Sequence, residues 1–364
     1  MKKMILRVLL AILALLVLAV LGFGVLYAGR IGTVNSIEKV TDYGDYDLYR
    51  MDVKYDYSID DVIDFGITDN QSMIDSILKE ALPLLPVKMK APQFGCSAFT
   101  LPGADGHILM GRNYDFKRDT SAMLVYCTPK NGYKSVALTA LDNISANAPT
   151  ASLKKKLACL TAPFICLDGM NEKGVSIAVL TLDSDPVDQN TGKQKIFTTL
   201  AIRLVLDRAA TTQEAVDLLN SYDMFATSGR DYHFYITDAT GDGRVVEYDP
   251  DQADRPLIDT KIAAITNFYG RYPDRVEPNQ KNGIYGHGKE RYNAIMEVLD
   301  TGRTGMDAAW DALRAAAQDP NPNDVTSNTQ WSLVYDDTAL TAQNVIRRNW
   351  ADVAYYDLNT NTMN

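Results

Sequence analysis

Cys96, Arg112 and Asp115 are the residues of this chain whose types and spacing could do chemistry together. Cys96 sits in Gly95-Cys96-Ser97, a guanidinium follows 16 residues later and a carboxylate 19 residues later, within Gly111-Arg112-Asn113-Tyr114-Asp115-Phe116. A strand, a turn at Gly103-Ala104-Asp105-Gly106 and a second strand would bring the three together. The thiolate is the reactive form of cysteine, and a neighbouring cation favours it. The usual histidine base is scarce: the chain has three, His107, His233 and His287. No Gly-x-Ser-x-Gly elbow is present, and the flanks of Cys96 lack a papain-like signature. Cutting the Gly95–Cys96 bond would supply another base. The freed α-amino group titrates near pH 7.7–8.0 by its ordinary value of about that size, well placed to accept a thiol proton. An N-terminal nucleophile of this kind is a known nucleophile–base arrangement.

Three segments carry a resemblance to a known family: Phe94-Gly-Cys-Ser-Ala-Phe99, Gly111-Arg-Asn-Tyr-Asp-Phe116 and Gly169-Met-Asn-Glu-Lys-Gly174. They resemble the choloylglycine hydrolases, linear amide C–N hydrolases that include bile salt hydrolases and penicillin V acylases. Acid ceramidase and N-acylethanolamine acid amidase are related to that family. The resemblance runs over most of 96–340. It implies an α+β fold, the four-layer αββα sandwich of N-terminal nucleophile hydrolases. It also implies that Cys96 is the nucleophile, Asp115 holds the α-amine and Arg112 lies beside the sulfur. Asn267, in Thr266-Asn267, would serve the oxyanion hole, and Arg291, in Gly288-Lys-Glu-Arg-Tyr292, would be a second site arginine. Thr181 stands where bile salt hydrolases place an Asn, which weakens a bile-salt assignment more than it weakens amide hydrolysis. The implied activity is self-cleavage at Gly95–Cys96, then hydrolysis of a small-molecule N-acyl amide through an acyl-Cys96 thioester, with no metal or organic cofactor. Acyl transfer to an amine on the same thioester, or a non-catalytic surface binding module of the same fold, are the alternatives. The amide itself (bile salt, acyl-ethanolamide, N-acyl amino acid or penicillin V) stays open, as does homo-oligomer formation.

These residues need elements to position them. Helical periodicity predicts short helices at 58–65 and 72–84, in a polar lead-in that runs from 31 to 95 and is broken up by Pro83, Pro86 and Pro92. From Cys96 the pattern becomes strands: 97–101, 107–112, 123–128, 134–141, 163–167 and 175–182, with 168–174 as a link. Helices are expected at 198–208 and 212–222, strands at 233–237, 244–248 and 261–266, helices at 288–299 and 305–317. Strands close the chain at 330–335, 344–348 and 353–356. This order predicts two antiparallel sheets face to face with helices outside them, forming one domain over 96–364.

Residues 1–30 stand apart. Lys2, Lys3 and Arg7 precede a run from Val8 to Gly29 without a charge, long enough to cross a bilayer, which needs roughly 20 apolar residues. The expectation is an uncleaved anchor with the rest of the chain outside; a cleaved signal peptide, giving a secreted protein, is the alternative. Residues 31–95 then read as a pro-segment. Hydrophobic residues make up 46% and charged residues 23% of the chain, as in a globular protein. Residues 1–30 hold four of the 36 basic and none of the 46 acidic residues, so 31–364 carry 32 minus 46, or −14. That charge argues against nucleic acid as a partner and against attraction to anionic lipid. Four cysteines are too few for a disulfide framework, although Cys159 and Cys166 could pair. No His, Cys or carboxylate cluster has zinc spacing, and Asp238-Ala-Thr-Gly-Asp-Gly243 reads as a hairpin turn, since it lacks the Glu of a calcium loop.

Overall fold

The computed structural model describes residues 2–83, 95–116, 118–227, 229–321, 323 and 327–364. The chain opens with α1 (Lys2–Asn35), whose stretch Leu9–Asn35 is long and apolar enough to cross a membrane. The lead-in then forms β1 (Glu38–Lys39), β2 (Leu48–Val53), α2 (Ile59–Asp64) and α3 (Asn70–Ala81). Their starts are set locally: the Ser58 side chain accepts from the Asp61 N–H, and Asp69 and Ser72 form a capping box. β3 (Gly95–Pro102) and β4 (Ile108–Asp115) make the expected hairpin, followed by β5 (Ala122–Cys127), β6 (Ser135–Ala140), α4 (Leu153–Ala158), β7 (Asp168–Asn171) and β8 (Ser176–Leu182). Next come β9 (Lys195–Phe197), α5 (Thr198–Arg208), α6 (Thr212–Asn220), β10 (Asp223–Phe225), β11 (Asp231–Thr237), β12 (Arg244–Tyr248), β13 (Leu257–Lys261) and β14 (Ala264–Ile265). The chain closes with α7 (Lys289–Leu299), α8 (Met306–Ala316), β15 (Thr329–Asp336), β16 (Thr341–Ile346), β17 (Ala354–Asp357) and β18 (Thr362–Met363).

Two large sheets stack. One has the order β1-β2-β5-β6-β7-β8-β11-β12-β13, the other β14-β3-β4-β15-β16-β17-β18. Strands such as β8, buried along its whole length, read as near-continuous apolar runs because both faces are covered. α5 packs on the outside of the first sheet against β7 and β8. α7 and α8 cover the outside of the second, enclosing Phe99, Leu101, Leu109, Ile295, Trp310 and Leu313. The result is the expected αββα sandwich.

Three expectations change. Residues 163–167 do not form a strand: Cys159–Phe164 is a 3₁₀ helix containing Pro163, a residue that cannot donate to a central ladder. The segment read as a link, 168–174, begins with the central strand β7. The strand expected at 261–266 is two strands, β13 in one sheet and β14 in the other, so the chain crosses the sandwich there. The lead-in is also more than a leader. β2 pairs in parallel with β5, from Leu48↔Ala122 to Val53↔Cys127, and Leu48 and Met51 are fully buried. One apolar core runs from Val34 through Leu82 into the sandwich, across the Gly95 boundary. Phe94, Pro86, Pro92 and Leu84 lie outside the described residues. All four cysteines are free thiols, so Cys159 and Cys166 are not paired.

Candidate active site

Strand pairing places the nucleophile candidate. β3 and β4 run antiparallel with Cys96 opposite Tyr114, Ala98 opposite Arg112 and Gly95 opposite Asp115. Side chains of a strand alternate between faces, so Cys96, Tyr114 and Arg112 share the inner face while Asp115 points outward, toward α7 and α8. Arg112 and Asp115, three residues apart, therefore serve Cys96 from opposite sides of one strand.

On the inner face, Arg112 is fully buried. Its Nε donates to Asp168 Oδ2 at 2.6 Å and its Nη1 to the Val179 carbonyl at 3.0 Å. Asp168 in turn accepts from Tyr335 Oη at 2.8 Å and Trp331 Nε1 at 3.2 Å. Arg112 Nη2 has no oxygen or nitrogen partner among the described residues, and the guanidinium stands beside the Cys96 thiol. Burial pushes that thiol up to about 11; the Arg112 charge and the Asp115 backbone N–H pull it down, and the Asp115 carboxylate works against them. In the uncut chain the thiol is therefore neutral at pH 7, and it has no exposed surface.

On the outer face, Asp115 accepts from Thr329 Oγ1 at 2.6 Å and Gln318 Nε2 at 2.9 Å, with Arg291 Nη1 at 3.5 Å. Burial raises its carboxyl above the usual range, and Arg291 and the two hydrogen bonds oppose that rise. Arg291 also donates from Nη1 to the Cys96 carbonyl at 3.0 Å and from Nη2 to Asn267 Oδ1 at 2.7 Å. Asn267 Oδ1 accepts the Cys96 backbone N–H at 3.2 Å, and its Nδ2 donates to the Thr181 carbonyl at 2.8 Å. An amide nitrogen has two N–H donors, so one remains after Thr181 is served.

Backbone geometry after β14 makes room for these contacts. Gly286 (φ 103°) lies against Asn267, where a Cβ would come 2.1 Å from the Asn267 carbonyl oxygen. Gly288 (φ 84°) starts α7, and a Cβ there would come 2.4 Å from Arg291 Nη2. Both are left-handed conformations that favour glycine.

Five of the six expected residues, Cys96, Arg112, Asp115, Asn267 and Arg291, meet around one strand end. Thr181 meets them through its carbonyl; its hydroxyl turns to the Asp231 carbonyl at 3.4 Å. Asp168 is the member that the sequence reading missed. The signal available was an Asp at the head of the Gly169–Gly174 motif. His233 is committed elsewhere, its ring set between Glu247 Oε2 (3.3 Å) and the Thr266 carbonyl (3.0 Å). No group of three or more His, Cys, Asp or Glu able to hold a metal occurs among the described residues.

Residues 96–267 match the model of the linear amide C–N hydrolases, choloylglycine hydrolase family. No curated protein matches the chain. Among solved structures, it is similar to a mutant conjugated bile acid hydrolase from Clostridium perfringens: TM-score 0.55, 17% identity, covering 74% of this chain and 95% of that one. It is also similar to penicillin V acylase from Agrobacterium tumefaciens: TM-score 0.54, 18% identity, covering 72% of this chain and 86% of that one. At these identities the structural likeness is one of fold.

Proposed function

We propose, for a chain whose residues 96–267 belong to the choloylglycine hydrolase family of linear amide C–N hydrolases, that Cys96 is the nucleophile of an amidase that completes itself by cutting the Gly95–Cys96 bond. One observation carries this reading. The N–H, the carbonyl and the thiol of Cys96 are each engaged, by Asn267, Arg291 and Arg112 respectively. Any buried residue needs partners for its N–H and carbonyl, but an inert core cysteine needs neither an Asn and an Arg side chain in that part nor a guanidinium beside its sulfur.

In the first step the Cys96 sulfur attacks the Gly95 carbonyl carbon. The peptide C–N bond breaks, its nitrogen becomes the free α-amine of Cys96, and water hydrolyses the Gly95 thioester. In catalysis the α-amine takes the thiol proton and the thiolate attacks the carbonyl of a small-molecule N-acyl amide. The remaining Asn267 N–H stabilises the oxyanion, an interaction worth about 3–4 kcal/mol of barrier for one such donor. The leaving amine takes the proton from the α-ammonium. The α-amine of Cys96, free again, then deprotonates the water that releases the acid from the acyl-Cys96 thioester, and the proton returns to the sulfur. Arg112 favours the thiolate once the base is present, Asp115 and Arg291 hold the new N-terminus, and Thr181 orients Asn267. The domain lies outside the membrane, held by α1. Residues 31–95 stay with it as a second chain, because β2 is built into the sheet.

Intact-mass analysis and N-terminal sequencing of the purified full chain test the reading. The expected result is two co-purifying chains, 1–95 and 96–364, the second beginning at Cys96, and turnover within a panel of bile salts, acyl-ethanolamides, N-acyl amino acids and penicillin V. Cys96→Ala should leave a single chain and lower turnover by at least about 10⁴-fold. Cleavage in that variant, or full activity from an uncut chain, would overturn the mechanism.

A further inference from the structure

The turn that carries Asn267 belongs to one sheet and is gripped by the other. β14 is registered against β3 at Ala264 and Ile265, so its pairing stops short of Asn267. The next carbonyl, that of Thr266, accepts from His233 Nε2 at 3.0 Å. Further along the turn, the Gly270 N–H donates to Glu247 Oε2 at 3.0 Å and the Arg271 N–H to Glu247 Oε1 at 2.8 Å. His233 lies on β11 and Glu247 on β12. These strands pair antiparallel at Phe234↔Val246, which sets the two side chains opposite each other one step further along. Neither residue has any exposed surface.

The His233 ring donates on both sides. Nδ1 stands 3.3 Å from Glu247 Oε2, which already receives the Gly270 N–H, and Nε2 meets a carbonyl oxygen, which only accepts. The ring serves both with a proton on each nitrogen. A histidine that merely filled the core could be satisfied by any neighbours; here the ring and its carboxylate partner hold the two ends of one segment, 266–271. Asn267 lies inside it. The Asn267 side chain spans the sheets, with Nδ2 donating to the Thr181 carbonyl on β8 and Oδ1 accepting the Cys96 N–H on β3. That N–H is on the nitrogen of the Gly95–Cys96 bond. Thr266 is tied a second time, its Oγ1 donating at 2.8 Å to the carbonyl of Gly288, where α7 begins. A shift of Thr266 would therefore move Asn267 and disturb the turn that delivers Arg291.

We propose that His233 and Glu247 are positioning residues for self-cleavage: from the first sheet they fix segment 266–271, and through it the Asn267 side chain at the nitrogen of the bond to be cut. The proposal rests on the reading of Cys96 as the nucleophile. The pair acts through Thr266 and Asn267, not on the reacting atoms. Its burial is what makes the hold firm. With the ring donor gone, the Thr266 carbonyl is left buried and unpaired, and the segment would shift to find it another partner.

Two substitutions separate the two ring nitrogens. His233→Gln puts an amide nitrogen where Nε2 stood and keeps a donor for Thr266; His233→Asn puts one where Nδ1 stood and keeps only the Glu247 side. The full chain is made by cell-free synthesis into phosphatidylcholine nanodiscs, and cleavage of Gly95–Cys96 is followed in time by mass spectrometry. His233→Gln should cleave at a rate close to that of the wild type. His233→Asn should cleave at least about tenfold more slowly, since misplacing a site group by an ångström can cost about a hundredfold. The same two substitutions in the Cys96→Ala chain should unfold at equal urea concentrations. Equal cleavage rates, the reverse order, or a rate difference matched by a difference in urea midpoint overturns the proposal and leaves the reading of Cys96 standing. A wild-type chain that stays whole overturns that reading, and the proposal with it.

Discussion

Arg112 carries a full charge into a site with no exposed surface, and Asp168 is the counter-charge that makes this tolerable. Removing one partner of a buried pair leaves the other charge uncompensated, at about 3–5 kcal/mol. Asp168→Asn should therefore lower the stability of the uncut Cys96→Ala chain by roughly that amount, measured by urea unfolding, with Trp331 and Tyr335 losing their charged acceptor. A change under about 1 kcal/mol would mean that Arg112 finds solvent or another acceptor in solution. Asp168 was visible in the sequence, but an Asp beside a Gly is also what a turn requires. Cys96, Arg112 and Asp115 were legible because their spacing and the shortage of histidine restrict what a thiol could use. The sharing of Asn267 Oδ1 between the Cys96 N–H and Arg291 was not, since it joins residues 171 and 24 positions apart.

At the scale of elements, the turn into α7 decides where Arg291 reaches. Gly288→Ala would force a left-handed alanine, at about 1–2 kcal/mol, and press its Cβ against the guanidinium that holds Cys96 and Asn267. The expected outcome is a folded protein with slowed self-cleavage and a kcat at least about tenfold lower, since misplacing a site group by an ångström can cost a hundredfold. Wild-type kinetics from Gly288→Ala would show that Arg291 has room to retreat. Element type was well predicted where a single signal dominated: α5 and β12 fall at their expected bounds. It failed where two signals competed. The apolar run around Pro163 suits a strand by composition, yet the proline ring favours the 3₁₀ turn. β2 alternates too weakly to announce a strand, and its partner β5 lies some 70 positions away in sequence, a separation that local patterns do not encode.

For the molecule as a whole, burial keeps its thiols neutral and so ties stability to pH. Burial lifts Cys127 from 9.0 to about 11, against the pull of Arg203, and Cys159 to about 12. A group whose folded pKa is raised contributes its stabilisation in full below the unfolded value and loses it as pH rises through the folded one. The Tm of the uncut Cys96→Ala chain should therefore fall steadily from pH 9 to pH 11. A flat Tm across that window would show that water reaches these thiols. The β2–β5 pairing has a kinetic meaning too. While the chain is whole, refolding is unimolecular and independent of dilution. If Gly95–Cys96 is cut as proposed, the strand that completes the sheet belongs to a separate molecule, and reassembly becomes second order. The mature enzyme would then owe its lifetime to how slowly it opens, not to how readily it closes again, and a single unfolding event at low concentration would be final.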